Sequence, residues 1–124
     1  MYVIEAATAP RFQLPGLEFT GLASPSRGAS DVCTWRLTVE PGLRLEDPHT
    51  LDRPEIFMVL SGAVRITPES PVLRAGDAVV VPAGGPIQLV NPGDEPAELY
   101  IAIRSDFGPT MADGSQPGAP PWAQ

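Results

Sequence analysis

The residues able to move a proton or grip a ligand are few, and their scarcity narrows the chemistry. The chain has one histidine, His49, one cysteine, Cys33, and eight basic residues that are all arginine. Without lysine there is no Schiff base to a carbonyl substrate and no covalent pyridoxal phosphate. A lone cysteine permits neither an internal disulfide nor a thiolate metal cluster. Cys33 lies in an alternating apolar run, where it reads as a small buried hydrophobe. A serine triad would have to be built on His49, and no Gly-x-Ser-x-Gly elbow accompanies it. Few tools for proton transfer near neutral pH remain, chiefly His49 and Glu55, the one charged residue of an otherwise apolar strand.

The elements that must position these residues are short strands. At 124 residues with 43% apolar content, the chain is a single domain with one core. A net charge of −7 excludes nucleic acid as a partner, because nothing would neutralise its phosphates. No apolar run reaches the ~18 residues of a membrane span, and Met1–Glu5 lacks the basic lead of a signal peptide. A cytoplasmic protein is expected. Sixteen prolines and twelve glycines punctuate the chain at short intervals, as in an all-β domain with tight turns.

In order, Tyr2–Ala6 reads as a first short strand at a short, irregular N-terminus, and Pro10–Gly16 as a connection. Leu17–Ala23 follows as a strand, then the polar loop Ser24–Ser30, long enough to cover a barrel mouth. Val32–Glu40 alternates with Cys33, Trp35, Leu37 and Val39 on one face. Glu55–Leu60 is apolar on both faces apart from Glu55, as expected of a strand covered on both sides, by a core and by a second sheet or a partner subunit. Ala63–Thr67, Val72–Arg74, Ala78–Val81, Ile87–Val90 and Glu98–Ile103 complete the set. Residues 105–124, rich in Gly, Pro, Ser and Asp, read as an extended tail outside a barrel formed by residues 1–104. Within that tail, Trp122 either pins the segment to the barrel or a neighbouring subunit, or frays with it.

Two stretches carry a resemblance. Gly42, Glu55 and Gly62 match the frame Gly, five residues, His-x-His, three or four residues, Glu, six residues, Gly. Gly76, Pro82, Gly84 and Asn91 match Gly, five residues, Pro-x-Gly, two residues, His, three residues, Asn. The chain thus resembles the cupins, whose fold is a double-stranded β-helix or jelly-roll barrel, over roughly residues 17–104. The histidines depart from the pattern. Ungapped counting puts Pro48 and Thr50 at the first pair, with His49 between them pointing outward. A shift of one residue puts His49 and Leu51 there instead. Ile87 occupies the remaining histidine position.

The resemblance implies an inward Glu55 surrounded by Phe57, Ile87 and Leu89, where desolvation would raise its pKa and make it a general acid or base. The plainer alternative pairs it with Arg36 or Arg44. His49 would be its acid–base partner if inward, and a surface loop residue if not. Arg36, Arg44 and Glu46, with Thr50 as a weaker candidate, would orient a substrate or else lie on a solvated face. With so few ligands left, no metal and no other cofactor is expected.

The leading expectation is a metal-independent cupin holding an apolar or aromatic small molecule, with isomerase, cyclase or lyase chemistry if it is an enzyme. A non-catalytic binding or sensing cupin stands as one alternative. A metal-dependent dioxygenase or decarboxylase with a reduced ligand set stands as another. A homodimer is expected, since cupins often pair through a sheet.

Overall fold

The computed structural model describes all 124 residues. Ten strands form in the order β1 (Arg11–Leu14), β2 (Leu17–Gly21), β3 (Val32–Val39), β4 (Thr50–Leu51), β5 (Glu55–Ser61), β6 (Ala63–Val64), β7 (Leu73–Arg74), β8 (Ala78–Val81), β9 (Ala97–Arg104) and β10 (Pro109–Thr110). The only helical turns are two 3-10 pieces, Pro25–Arg27 and Pro121–Ala123. No helix is long and apolar enough to cross a membrane.

Six strands make one antiparallel sheet in the order β1-β2-β3-β9-β5-β8. The facing layer is built from β4 with β10 and β6 with β7. Residues 87–90 stitch this layer together, bridging Arg44, His49 and Arg65. The chain crosses between layers, so β3 and β5 are both partners of β9 despite their separation in sequence. This is a jelly-roll barrel, as its turn framework implied.

Strand alternation decides what faces the interior. In β3, Cys33, Trp35, Leu37 and Val39 are buried; in β9, Ala97, Leu99, Ile101 and Ile103; in β5, Glu55, Phe57 and Val59. The register lays these side by side: Trp35 opposes Ile101, which opposes Phe57. The outward positions of β5, Ile56, Met58 and Leu60, are exposed in the single chain, so no second sheet covers them.

Two segments depart from the sequence reading. Residues 2–6 form no strand, and the first strand is instead Arg11–Leu14, inside the expected connection. There Phe12 pairs with Phe19 across a tight turn at Gly16. Residues 105–124 fold back on the barrel: Phe107 and Ala123 join the core, and Trp122 packs against it.

The motif residues hold turns. Gly42, Gly62, Gly76 and Gly84 all adopt left-handed φ between +75° and +90°, a region open chiefly to glycine. Buried Asn91 donates to the Val39 and Glu95 carbonyls at 3.1 and 2.9 Å and accepts from the Gly93 N–H at 2.9 Å. Asp77 accepts from the Arg74 N–H at 2.8 Å, closing its own turn.

Candidate functional site

Between the two layers lies a cavity of about 1120 Å³, and 17 of its 30 lining residues are hydrophobic. That is at the upper end of small-molecule sites, roomy enough for a molecule of several rings. The large sheet contributes Trp35, Glu55, Phe57 and Ile101, and the facing layer His49, Leu51, Ile87 and Leu89. Arg44, Glu46 and Asp47 stand at its exposed rim.

Glu55 is the first residue of β5 and shares its inward face with Phe57 and Val59. Its cross-strand neighbours are Val81 and Ile103, both buried aliphatics. The side chain is 5% exposed and its Oε2 has no hydrogen-bond partner. Burial pushes its pKa up to about 8, and no basic residue offsets that push. At pH 7 Glu55 is therefore mostly a neutral carboxylic acid.

His49 is placed by an antiparallel bridge to Ile87, with hydrogen bonds of 3.0 and 2.9 Å between the two backbones. It lines the cavity with Leu51, whereas Pro48 and Thr50 do not. The shifted register is thus the one adopted, with His49 inward. Burial lowers its pKa, again with no charged neighbour compensating. A neutral imidazole and a neutral carboxylic acid face one apolar space.

The remaining sequence candidates divide. Phe57, Ile87 and Leu89 line the cavity interior, and Arg44 and Glu46 its rim. Gln88 donates to the Leu45 and Glu46 carbonyls at 2.9 and 3.0 Å, fixing that rim. Arg36 is on the outer face of β3, where it pairs with Glu98 and lies 6.0 Å from the Tyr100 ring centroid. Even numbering in β3 points it away from the interior, so it neither orients a substrate in the barrel nor pairs with Glu55. Thr50 also falls outside the lining; it is paired with Thr110 across β4 and β10.

Trp35, read from the sequence as an inward residue of its strand, lines the cavity and leaves its buried Nε1 without a partner. Two further features escaped the sequence. Phe107, 6.1 Å from the Trp35 ring, closes the same side. Most of residues 117–124 form a further wall. The only local signal for that wall was Trp122 among prolines.

A metal can be tested against these residues. The motif offers four positions, and in the adopted register they are His49, Leu51, Glu55 and Ile87, two donors and two aliphatic side chains. No group of three or more His, Cys, Asp or Glu side chains is gathered anywhere in the chain. The residues present do not fit the three- or four-ligand site that a resident metal requires.

The sequence profile described as "Cupin domain" matches residues 35–103, more than half the chain. The chain belongs to the cupin family. A search of curated proteins gave no match. Among solved structures, the chain is similar to the polyketide cyclase RemF from Streptomyces resistomycificus (TM-score 0.72, 17% identity, covering 94% of this chain and 82% of that one). It is also similar to a cupin-superfamily sugar phosphate isomerase from Silicibacter pomeroyi (0.67, 21%, 90% and 82%) and to KdgF from Halomonas sp. (0.63, 20%, 82% and 90%). At such identities the likeness speaks for the cupin fold alone.

Proposed function

We propose that this cupin holds a neutral, mostly apolar organic molecule with an aromatic ring and a carbonyl group, and moves a proton on it without a resident metal. The single observation that carries this reading is that buried Glu55 and half-buried His49 line one large apolar cavity, each driven by burial toward its uncharged form. An uncharged pair favours an uncharged ligand, because nothing in the interior offsets an added charge.

The chemistry follows from the protonation states. Glu55 donates its proton to the ligand's carbonyl oxygen while His49 takes a proton from the adjacent carbon, leaving an enol. The site then holds a Glu55 carboxylate and a His49 imidazolium. Return of the proton to a different carbon is an isomerisation. Attack of the enol carbon on a second carbonyl, with loss of water, is a cyclisation. Arg44 and Glu46 at the rim would contact any polar end of the ligand that reaches solvent. A polyketide cyclase and a sugar phosphate isomerase among the structural neighbours support a barrel suited to such steps.

The reading takes the protein as cytoplasmic and as a homodimer. The outward side chains Ile56, Met58, Leu60, Val80 and Tyr100 form an exposed apolar face on β5, β8 and β9. Glu98, the outward carboxylate beside it on β9, is paired with Arg36, so a second copy can meet this face despite the net charge of −7. β8 is also an unpaired edge of the six-stranded sheet.

The test uses 2-tetralone, an aromatic ketone, in D2O. Wild-type protein should accelerate α-proton exchange seen by NMR. Glu55→Gln and His49→Ala should each reduce it about 100-fold or more while still binding the uncharged fluorophore N-phenyl-1-naphthylamine. Fluorophore binding without exchange would leave a binding or sensing module and sink the catalytic reading. Near-stoichiometric metal in protein purified without chelators would sink the metal-free one.

A further inference from the structure

The segment Pro117–Gln124 crosses the barrel and supplies a wall of the cavity. Its attachment is concentrated at three consecutive residues. Trp122 stacks on Phe19 with ring centroids 3.7 Å apart and planes 10° from parallel. The Trp122 carbonyl accepts from Arg27 Nη2 at 3.0 Å, and the Ala123 carbonyl from Cys33 Sγ at 3.2 Å. The Gln124 carbonyl accepts from Ser24 and Ser26.

The receiving side is built for this attachment. Arg27 is steadied by its own 2.6 Å hydrogen bond to the Leu22 carbonyl. Gly21 leaves the space the pair needs, since a Cβ there would sit 2.5 Å from Arg27 Nη2 and 3.1 Å from the Trp122 carbonyl. By contrast, residues 111–118 are exposed, and Gly114 and Gly118 hold left-handed turns with nothing packed where a Cβ would lie. The segment is firmly held at 122–124 and loosely held before it.

Two residues that line the same cavity carry buried polar atoms without a partner, Glu55 Oε2 and Trp35 Nε1. Buried polar groups are nearly always paired, so two unpaired ones on residues lining one cavity point to an occupant that partners them.

We propose that Pro117–Gln124 is a hinged wall of the binding cavity, with Trp122 its latch, which swings out to admit a ligand and then closes against it. The proposal rests on the small-molecule reading above, and it makes Trp122 and its neighbours contacts that select the ligand's shape.

The chain's two tryptophans, Trp35 and Trp122, provide the test. In Trp122→Phe and Trp122→Ala alike, Trp35 is the only indole left; the first keeps an aromatic latch and the second removes it. Acrylamide, itself a small uncharged probe, should quench Trp35 at least fivefold more strongly in the Ala variant. The association rate of N-phenyl-1-naphthylamine should rise several-fold in the same variant, with a cooperative melt retained. Equal protection of Trp35 in the two variants would overturn the proposal.

If Trp122→Ala fails to fold, Arg27→Ala with Ser26→Ala in the Trp122→Phe background replaces it, with the same two outcomes. New exposure of Trp35 in a protein that binds no fluorophore would keep the hinged wall while removing the small-molecule reading.

Discussion

At the scale of single residues, Glu55 makes stability depend on pH in an unusual direction. Its pKa rises from 4.5 to about 8 on folding, so the folded state holds a proton that the unfolded chain releases. The associated stability is fully present below pH 4.5 and is lost as pH climbs toward 8, at about 1.4 kcal/mol per unit at most. His49 works from the opposite side. Its pKa is lowered from 6.5, so its contribution is present above that value and lost as pH falls. The wild-type melting temperature should therefore fall between pH 6.5 and 8, where the His49 contribution is already complete, and Glu55→Gln should flatten that decline. Parallel melting profiles for the two proteins, by scanning calorimetry, would contradict the assignment. Residue types here were partly legible in advance. An inward glutamate was implied by its place in the motif, but the orientation of His49 was not. A one-residue slip in the segment before it reverses which side chains face inward, and nothing local to Asp47–Asp52 selects the register. The bridge to Ile87 does so, from across the barrel.

At the scale of elements, the turns explain why the motif can be read even though most of its histidine positions hold other residues. Left-handed φ excludes most residues regardless of function, so the glycine framework is legible whatever chemistry it flanks. Gly62 and Gly42 separate two parts of that constraint. Both have φ near +75°, but only at Gly62 would a Cβ also strike backbone, 2.5 Å from the Pro96 oxygen and 2.7 Å from Ala97 Cα. Gly42→Ala should lose about 1 kcal/mol from backbone strain, and Gly62→Ala about 3 kcal/mol once the overlap is added. Urea denaturation reads both, and equal losses would refute the overlap argument. The strand β1 was not legible, because Arg11–Leu14 is short and bounded by Pro10 and Pro15, a pattern shared by turns. It is a strand because Phe12 pairs with Phe19 and packs against the core. The segment 117–124 was hidden for a related reason. Its composition is that of a linker, and the stack that fixes it joins residues about a hundred positions apart.

At the scale of the whole molecule, the sheet has one apolar face too many. Its inner face covers the cavity and core, while Ile56, Met58, Leu60, Val80 and Tyr100 remain exposed outside. Exposed contiguous apolar surface of this kind marks contact sites. Met58→Arg should shift sedimentation from a dimer to a monomer without changing the far-ultraviolet circular dichroism. A wild-type protein already monomeric at micromolar concentration would remove the dimer from the reading. The all-β barrel was legible as a whole, since turn spacing and alternation both encode it locally. The closed side of its cavity was not, since closure is made by contacts distant in sequence.

That distance has a consequence for assembly. The bonds from Ser24 to Gln124 and from Cys33 to Ala123 span 100 and 90 residues. Loop-closure entropy makes such contacts unfavourable until the strands between them have paired. Docking of Pro117–Gln124 is therefore expected as a late step of folding, after Trp35, Phe57 and Ile101 have come into register. A ligand present during refolding should then be enclosed without having to displace the wall, which refolding from urea with and without N-phenyl-1-naphthylamine would read as faster uptake than binding to the folded protein.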